Sequence, residues 1–435
     1  MPLASIGLDF GTTNTVLAHS PDGERVNAMT FNHLGEPFSA CRSVLCFWLQ
    51  QGRGPDAMET EIGPWAVDQF ISFPDDSRFI QSFKTFAASS LFQHTRVFAK
   101  RCAFEDLLAT FLAHLLNHAG EGEERLPQRV VIGRPVRFAG QRPDEALAVE
   151  RYLTALRRLG AEDIRFVYEP VAAAFYFVRR MRRDCTVLVA DFGGGTSDFS
   201  LMRFERQGGR FTARALATSG VGIAGDRFDF QIIDRLISPL LGKGSHYVTM
   251  GKRLEMPSHF YASFARWNEL SLMRGSDTFR DLKQLARLSE EPACINQFIE
   301  LIEANLGYAL YQAVSQAKTA LSGAEEAELH FAAGGLDLKT TIRRSDFDDW
   351  IADDIAQMEG ALDEALCAAR IEAGEVDKVF LTGGTSFVPR VRRLFEERFG
   401  AEKIETGDEL ISIAHGLSLI AARDDIDQWC VAAPL

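Results

Sequence analysis

The sequence predicts an α/β protein built from two similar halves. Three observations carry that expectation. Two short stretches say nearly the same thing: Ile6-Gly7-Leu8-Asp9-Phe10-Gly11-Thr12-Thr13-Asn14, and Val189-Ala190-Asp191-Phe192-Gly193-Gly194-Gly195-Thr196-Ser197-Asp198. Apolar runs of strand length alternate with segments of helical periodicity. The length, 435 residues, exceeds what one hydrophobic core usually serves.

Each matched stretch reads as a strand, a glycine turn and a second strand, with a carboxylate closing the first strand. Glycine lets a backbone approach an anion closely, and successive turn amides form a concave set of donors. Thr12, Thr13 and Thr196 add hydroxyls. Asp9 and Asp191 repel a phosphate on their own. They make sense beside a hydrated Mg²⁺, which needs only one or two carboxylates. A single loop of this kind also reads as an ordinary turn, but two matched loops point to a shared nucleotide phosphate ligand.

Along the chain, residues 27–101 read as irregular, with loops around 50–55. Residues 105–117 carry apolar side chains at helical spacing, and 144–160 do so again, with Gly160 as the stop. Short strands are expected at 129–133, 164–168 and 185–190. Glu169-Pro170 opens an alanine-rich helix over 171–179, since proline suits a first helical turn. Further helices are expected at 226–237, 298–321, from 389 and over 411–422. A strand at 378–382 turns through Gly383-Gly384. Residues 240–292 show no clear period.

Composition narrows the function. A net charge of -13 argues against nucleic acid or an anionic membrane as partner. The basic cluster at 179–183 reads as a solvated helix end. Seven scattered cysteines without a Cys-x-x-Cys pair suit neither a disulfide framework nor a zinc site. With no leader-like start and no membrane-length apolar run, a reducing, cytoplasmic setting is expected.

The order Asp-x-Gly-Thr-Thr, Glu-Pro-x-Ala-Ala-Ala, Asp-x-Gly-Gly-Gly-Thr-x-Asp, Gly-Gly-Thr-Ser-x-x-Pro resembles the actin-like ATPase superfamily. Within it, the chain is most similar to the nucleotide-binding domain of the DnaK-type heat shock protein 70 family, of the stand-alone YegD-like kind. The resemblance covers nearly the whole chain, weakly at 27–79 and 240–292. It implies an actin-like fold of two ribonuclease H-like lobes, 1–184 and 185–435, with a nucleotide cleft between them and no peptide-binding domain following.

The resemblance also implies roles. Asp9 and Asp191 would hold Mg²⁺ through water, with Asp198 nearby. Gly11, Thr12, Thr13, Asn14, Gly193, Gly194, Gly195 and Thr196 would contact the phosphates. Lys84 matches the lysine that stabilises the transferring phosphoryl group, and Glu169 the carboxylate that orients water. Read alone, Lys84 is also a surface lysine, and Glu169 a helix-start acid favoured by the dipole. Pro135 resembles a coupling proline and reads equally as a strand-end proline. Gly225, Asp226, Lys318, Ser322, Gly383, Gly384 and Thr385 match nucleoside and phosphate contacts. Here the chain departs from the pattern: Ser315 replaces an acid, Phe387 an arginine, Thr319 a stacking residue and Ala224 a glycine. Phe387 offers a flat face for a base.

An ATP-binding, slowly hydrolysing chaperone-like ATPase is the expected function, its nucleotide state read by a protein partner or client. A filament-forming bacterial actin-like protein of the MreB or ParM type is the alternative, and a carbohydrate kinase of the same superfamily a more remote one.

Overall fold

In the computed structural model, residues 5–50, 58–73, 76–119, 125–138, 142–178, 183–207, 210–265, 277–304, 306–405 and 411–431 are described. Most of the loop expected at 50–55 and of the basic cluster at 179–183 lies outside them. Contacts group the chain into two units. The first comprises Met1–Val221, Gly360–Ser386 and Leu394–Leu435, the second Gly222–Glu359 and Phe387–Arg393.

The first unit contains both matched loops, each on its own sheet. One sheet runs Asp163–Tyr168, Arg129–Arg134, Ser5–Phe10, Asn14–His19, Asn27–Ala28, with Cys41–Arg42 also pairing to Asn14–His19. The other runs Ile404–Glu405, Lys378–Thr382, Cys185–Phe192, Ser197–Gln207, Arg210–Val221. In both, the strand ending in Asp-Phe has a parallel neighbour on one side and its own hairpin partner on the other. The registers coincide: Asp9 faces Val16 and Phe10 faces Thr15, as Asp191 faces Asp198 and Phe192 faces Ser197. The halves are topological twins.

Burial explains why these runs become strands. A central strand covered on both faces needs a continuous apolar sequence. In Cys185–Phe192 only Asp191 escapes full burial. Ile6, Leu8 and Phe10 are fully buried on the twin strand. The helix Phe104–His118 buries Leu107, Leu108, Phe111, Leu112 and Leu115, the residues that set its period. The helix Glu145–Arg158 starts where the Asp144 carboxylate accepts the Leu147 N–H at 3.0 Å.

The structure corrects three expectations. Residues 27–101 are not mainly irregular: Val44–Leu49, Met58–Ile62 and Ser77–Gln81 form a sheet, covered by the helix Gly63–Ser72. The long helix expected at 298–321 is two helices, Pro292–Glu303 and Gly307–Ala320. Between them the Leu306 N–H reaches back five residues to the Leu301 carbonyl, the bond that closes a helix C-terminus rather than continuing it. The helix expected at 226–237 is α only over Gly225–Ile232 and widens to a π-turn at Ile233–Ile237. Within 240–292, where the sequence shows no clear period, the second unit has a hairpin (His246–Thr249 with Lys252–Glu255) and the helices Ser258–Phe264 and Asp277–Ala286.

The helix Ser412–Ala421, near the end of the chain, packs on the strand Ser5–Phe10 near its start and on the helix Glu169–Val178. Two glycines permit the approach. A Cβ on Gly416 would stand 1.8 Å from the Ala172 carbonyl oxygen, and one on Gly7 would stand 2.4 Å from the Ser418 nitrogen. Backbone cannot yield as a side-chain tip can. Gly416→Ala is therefore expected to destabilise by about 1–3 kcal/mol or more, read as a lower denaturant midpoint. Gly360→Ala is the control. It sits exposed in the helix Ala352–Ala369 with no atom near the added methyl, and should raise stability by about 0.4–1 kcal/mol.

Candidate functional site

The two hairpins close alike. The Gly11 N–H donates to the Asn14 carbonyl at 2.9 Å, and the Gly193 N–H to the Thr196 carbonyl at 2.9 Å. Thr12-Thr13 and Gly194-Gly195 are thereby the tips, and Gly195 and Thr196 are exposed. Ser43 pins the first hairpin from outside. Its hydroxyl donates to the Gly11 carbonyl at 2.7 Å and lies 2.8 Å from the Thr15 hydroxyl, while its N–H reaches the Thr13 carbonyl at 2.8 Å. In the second hairpin the Thr196 hydroxyl donates to Asp198 at 3.0 Å. Sequence reading missed Ser43, because it comes from the stretch taken as irregular and no spacing marks it.

Behind the hairpins lies a buried ion pair. The Lys84 ammonium donates to the Glu169 carboxylate at 2.8 Å, with the two side chains 12% and 8% exposed. Lys84 stands on the 3₁₀ turn Phe83–Phe86, and Glu169 opens the helix Glu169–Val178. Burial alone would drive the lysine toward neutrality. Glu169, Tyr152 and Asp9 together outweigh it and hold the ammonium above its ordinary range. This disposes of the surface reading of Lys84.

The aspartates feel each other through the same recess. Burial first, then Glu169, pushes Asp9 up to about 8, with Asp191 adding and Lys84 opposing. Burial and Glu169 also raise Asp191, against the Thr382 hydroxyl that donates to it at 2.7 Å. Asp198 rises to about 6, from burial of its surroundings and then from Asp191. Four carboxylates thus share one ammonium, an imbalance that a divalent cation relieves. Among the described residues no three His, Cys, Asp or Glu side chains converge as a direct metal cage. The donor set fits an ion such as Mg²⁺, which keeps most of its water.

One difference between the twins bears directly on the ion pair. Thr382 pairs with Asp191; its counterpart, following Ile132 as Thr382 follows Leu381, is Gly133. A Cβ on Gly133 would lie 3.1 Å from the Glu169 Cγ and 3.3 Å from Leu417. The missing side chain makes room for Glu169. Arg134, beside it, is buried, donates to Glu145 at 2.8 Å and lies over the rings of Phe138 and Tyr168. No pattern in the sequence pointed to Gly133, Arg134 or Thr382.

The other expected residues divide between the units. In the first, Gly383 follows its strand at φ +83° against the Phe192 carbonyl, and Thr385 is buried. In the second, Gly225 and Asp226 begin the helix Gly225–Ile232. Lys318 is held there by Asp229 at 2.7 Å and the Gly225 carbonyl at 3.2 Å. The Thr319 hydroxyl turns back onto the Ser315 carbonyl at 2.9 Å. Ser322 lies just past the helix Gly307–Ala320, and Phe387 is 47% exposed.

The raised Asp9 gives a pH signature. Its folded pKa of about 8 lies above the unfolded value of about 4. The folded state therefore binds the extra proton between those limits, and stability falls as pH rises through them. Asp9→Asn should be more stable than the wild type at pH 8.5 in metal-free buffer, with the gap closing toward pH 4.5. Thermal unfolding across that range measures it.

The profile of the family described as Hsp70 protein matches residues 96–246 and 302–423, more than half of the chain. The chaperone protein DnaK of Mycoplasmopsis agalactiae (strain NCTC 10123 / CIP 59.7 / PG2) is 25% identical over 433 residues. That alignment covers 97% of this chain and 59% of the relative, so the chain spans under two thirds of that relative's length. Among the described residues no helix is long and apolar enough to cross a membrane. The twinned sheets with paired Asp-Phe-Gly hairpins are the actin-like ATPase architecture, and the chain belongs to the Hsp70 family.

Proposed function

We propose that the protein binds ATP with Mg²⁺ and hydrolyses it slowly, as a chaperone-type ATPase whose nucleotide state is read by a protein partner or client. The observation that carries this reading is the buried Lys84–Glu169 pair, set among Asp9, Asp191 and two anion-ready hairpins. Phosphoryl transfer to water asks a protein mainly for positioning and charge neutralisation. Those are the two things this recess offers.

Residues divide the work. The hairpin tips at Gly11, Thr12, Thr13 and Asn14, and at Gly193, Gly194, Gly195 and Thr196, take the β- and γ-phosphates with N–H and hydroxyl donors. Asp9 and Asp191, with Asp198 beside them, hold hydrated Mg²⁺, which when bound offsets phosphate charge. Lys84 meets charge developing on the transferring group, and Glu169 holds and orients the attacking water. Gly225 and Asp226 serve the phosphates, and Lys318, Ser322, Gly383, Gly384, Thr385 and Phe387 the nucleoside. The seven free thiols support a reducing, cytoplasmic setting. The family match does not favour the filament or sugar-kinase readings.

Calorimetric titration with ATP and ADP, with and without Mg²⁺, tests the proposal alongside phosphate release. Mg²⁺-dependent binding is expected. Glu169→Gln should keep binding and lose turnover by about a hundredfold, and Lys84→Met should do the same. Absence of nucleotide binding would sink the reading.

A further inference from the structure

Lys84 follows Phe83, which is fully buried against Phe10, Phe104 and Phe111, yet it has little other local support. Its 3₁₀ turn is four residues long and is entered by Ser82 at φ +52°, a left-handed conformation that costs a non-glycine residue about 1 kcal/mol or more. Short 3₁₀ turns also make poorly aligned hydrogen bonds. No helix or strand follows until Thr95–Val97. Yet a catalytic ammonium needs placement to about 0.5 Å. Phe83 anchors the start of the turn, and something outside it holds the end.

The carbonyls of this segment converge on one neighbouring helix, Glu145–Arg158. Arg151 Nη1 donates to the carbonyls of Phe86 at 2.9 Å, Ala87 at 2.9 Å and Ser89 at 3.2 Å, and Nη2 donates to that of Phe92. The N–H of Asp144, the cap of the same helix, takes the Ala88 carbonyl at 2.9 Å. Phe86 and Phe92 stack at 4.6 Å, closing the loop on itself. Arg151 is 9% exposed, and no ion pair to it is present among the described residues. Its charge is spent wholly on main-chain oxygens. A guanidinium suits this, because its planar fork spreads five donors over several acceptors.

The next residue fixes the other coordinate. The Tyr152 ring is fully buried and packs on Phe10, 6.1 Å away, and Phe104, 5.5 Å away. Phe10 follows Asp9 on its strand. One helix therefore touches the segment bearing Lys84 and the strand bearing Asp9 with consecutive side chains.

We propose that Arg151 is the positioning residue for Lys84. By gathering the carbonyls at the end of the 3₁₀ turn and just beyond it, it fixes the distance of the ammonium from Glu169 and from the reacting phosphoryl group. Arg151 does not itself touch that group. The proposal rests on the ATPase reading for its catalytic consequence, and on geometry alone for its structural one.

The test uses the full chain with Arg151→Met and Arg151→Lys. It reads kcat and KM for Mg·ATP, the thermal midpoint, and acylation of the Lys84 amine by an N-hydroxysuccinimide ester, mapped by peptide mass spectrometry against exposed Lys100 and Lys252. Arg151→Met should lower kcat roughly tenfold to a hundredfold with KM within about twofold. Lys84 acylation should rise severalfold while Lys100 and Lys252 stay unchanged. Arg151→Lys should recover part of both. A folded Arg151→Met protein with wild-type acylation of Lys84 overturns the proposal, as does a kcat loss that only tracks the folded fraction. If Arg151→Met does not fold, the same two readings on Arg151→Lys decide. If the wild type hydrolyses no ATP, the functional reading fails and the acylation result still judges Arg151.

Discussion

Backbone meeting backbone at Gly7 and Gly416 is the constraint that organises the first unit. Hydrophobic side chains tolerate exchange for others of similar volume; contact between main chains does not. The helix Ser412–Ala421 occupies the face of the first sheet next to the helix Glu169–Val178. Its Ile413 and Leu417 side chains lie near the space beside Gly133, where the Glu169 side chain also runs. The back wall of the recess is therefore made by the last α-helix among the described residues. The position of the Glu169 carboxylate depends on residues some 250 positions downstream in sequence, and no local signal encodes it.

The recess is expensive for the fold. Carboxylates that raise one another's pKa are held together against their own repulsion, and a single buried ion pair does little for stability on balance. Groups that a fold would rather lose are characteristic of sites that bind something charged. The second unit treats its lysine differently: Lys318 is matched one to one by Asp229. Local charge balance thus distinguishes the recess around Asp9 and Asp191 from the surroundings of Lys318.

Much of this was readable from residues in order. The paired Asp-Phe-Gly stretches gave the twin hairpins because each carries its instructions locally: an apolar strand, a turn that needs glycine, another strand. Helices with a strong period and a cap, such as Phe104–His118 and Glu145–Arg158, were equally plain. The break between Glu303 and Gly307 was hidden because apolar periodicity runs across it, and the closing bond from Leu306 to Leu301 is a tertiary choice. Ser43, Arg151 and Thr382 were illegible for a common reason. Each acts on main chain or on an aspartate far away in sequence, and a lone serine, arginine or threonine carries no spacing.

The difference between Gly133 and Thr382 has a broader meaning. Two halves with the same strand order and the same hairpin register begin as equals, and nothing in their topology says which should carry the extra carboxylate. The choice falls to a few heavy atoms at one strand end. Where a threonine stands, its hydroxyl occupies the aspartate; where nothing stands, a glutamate from the following helix moves in. Handedness of the recess, the side on which the extra carboxylate stands, is thus a property of one empty volume rather than of the architecture. Exchanging the two residues and moving the acid across would, on this view, build the mirror assignment on an unchanged scaffold.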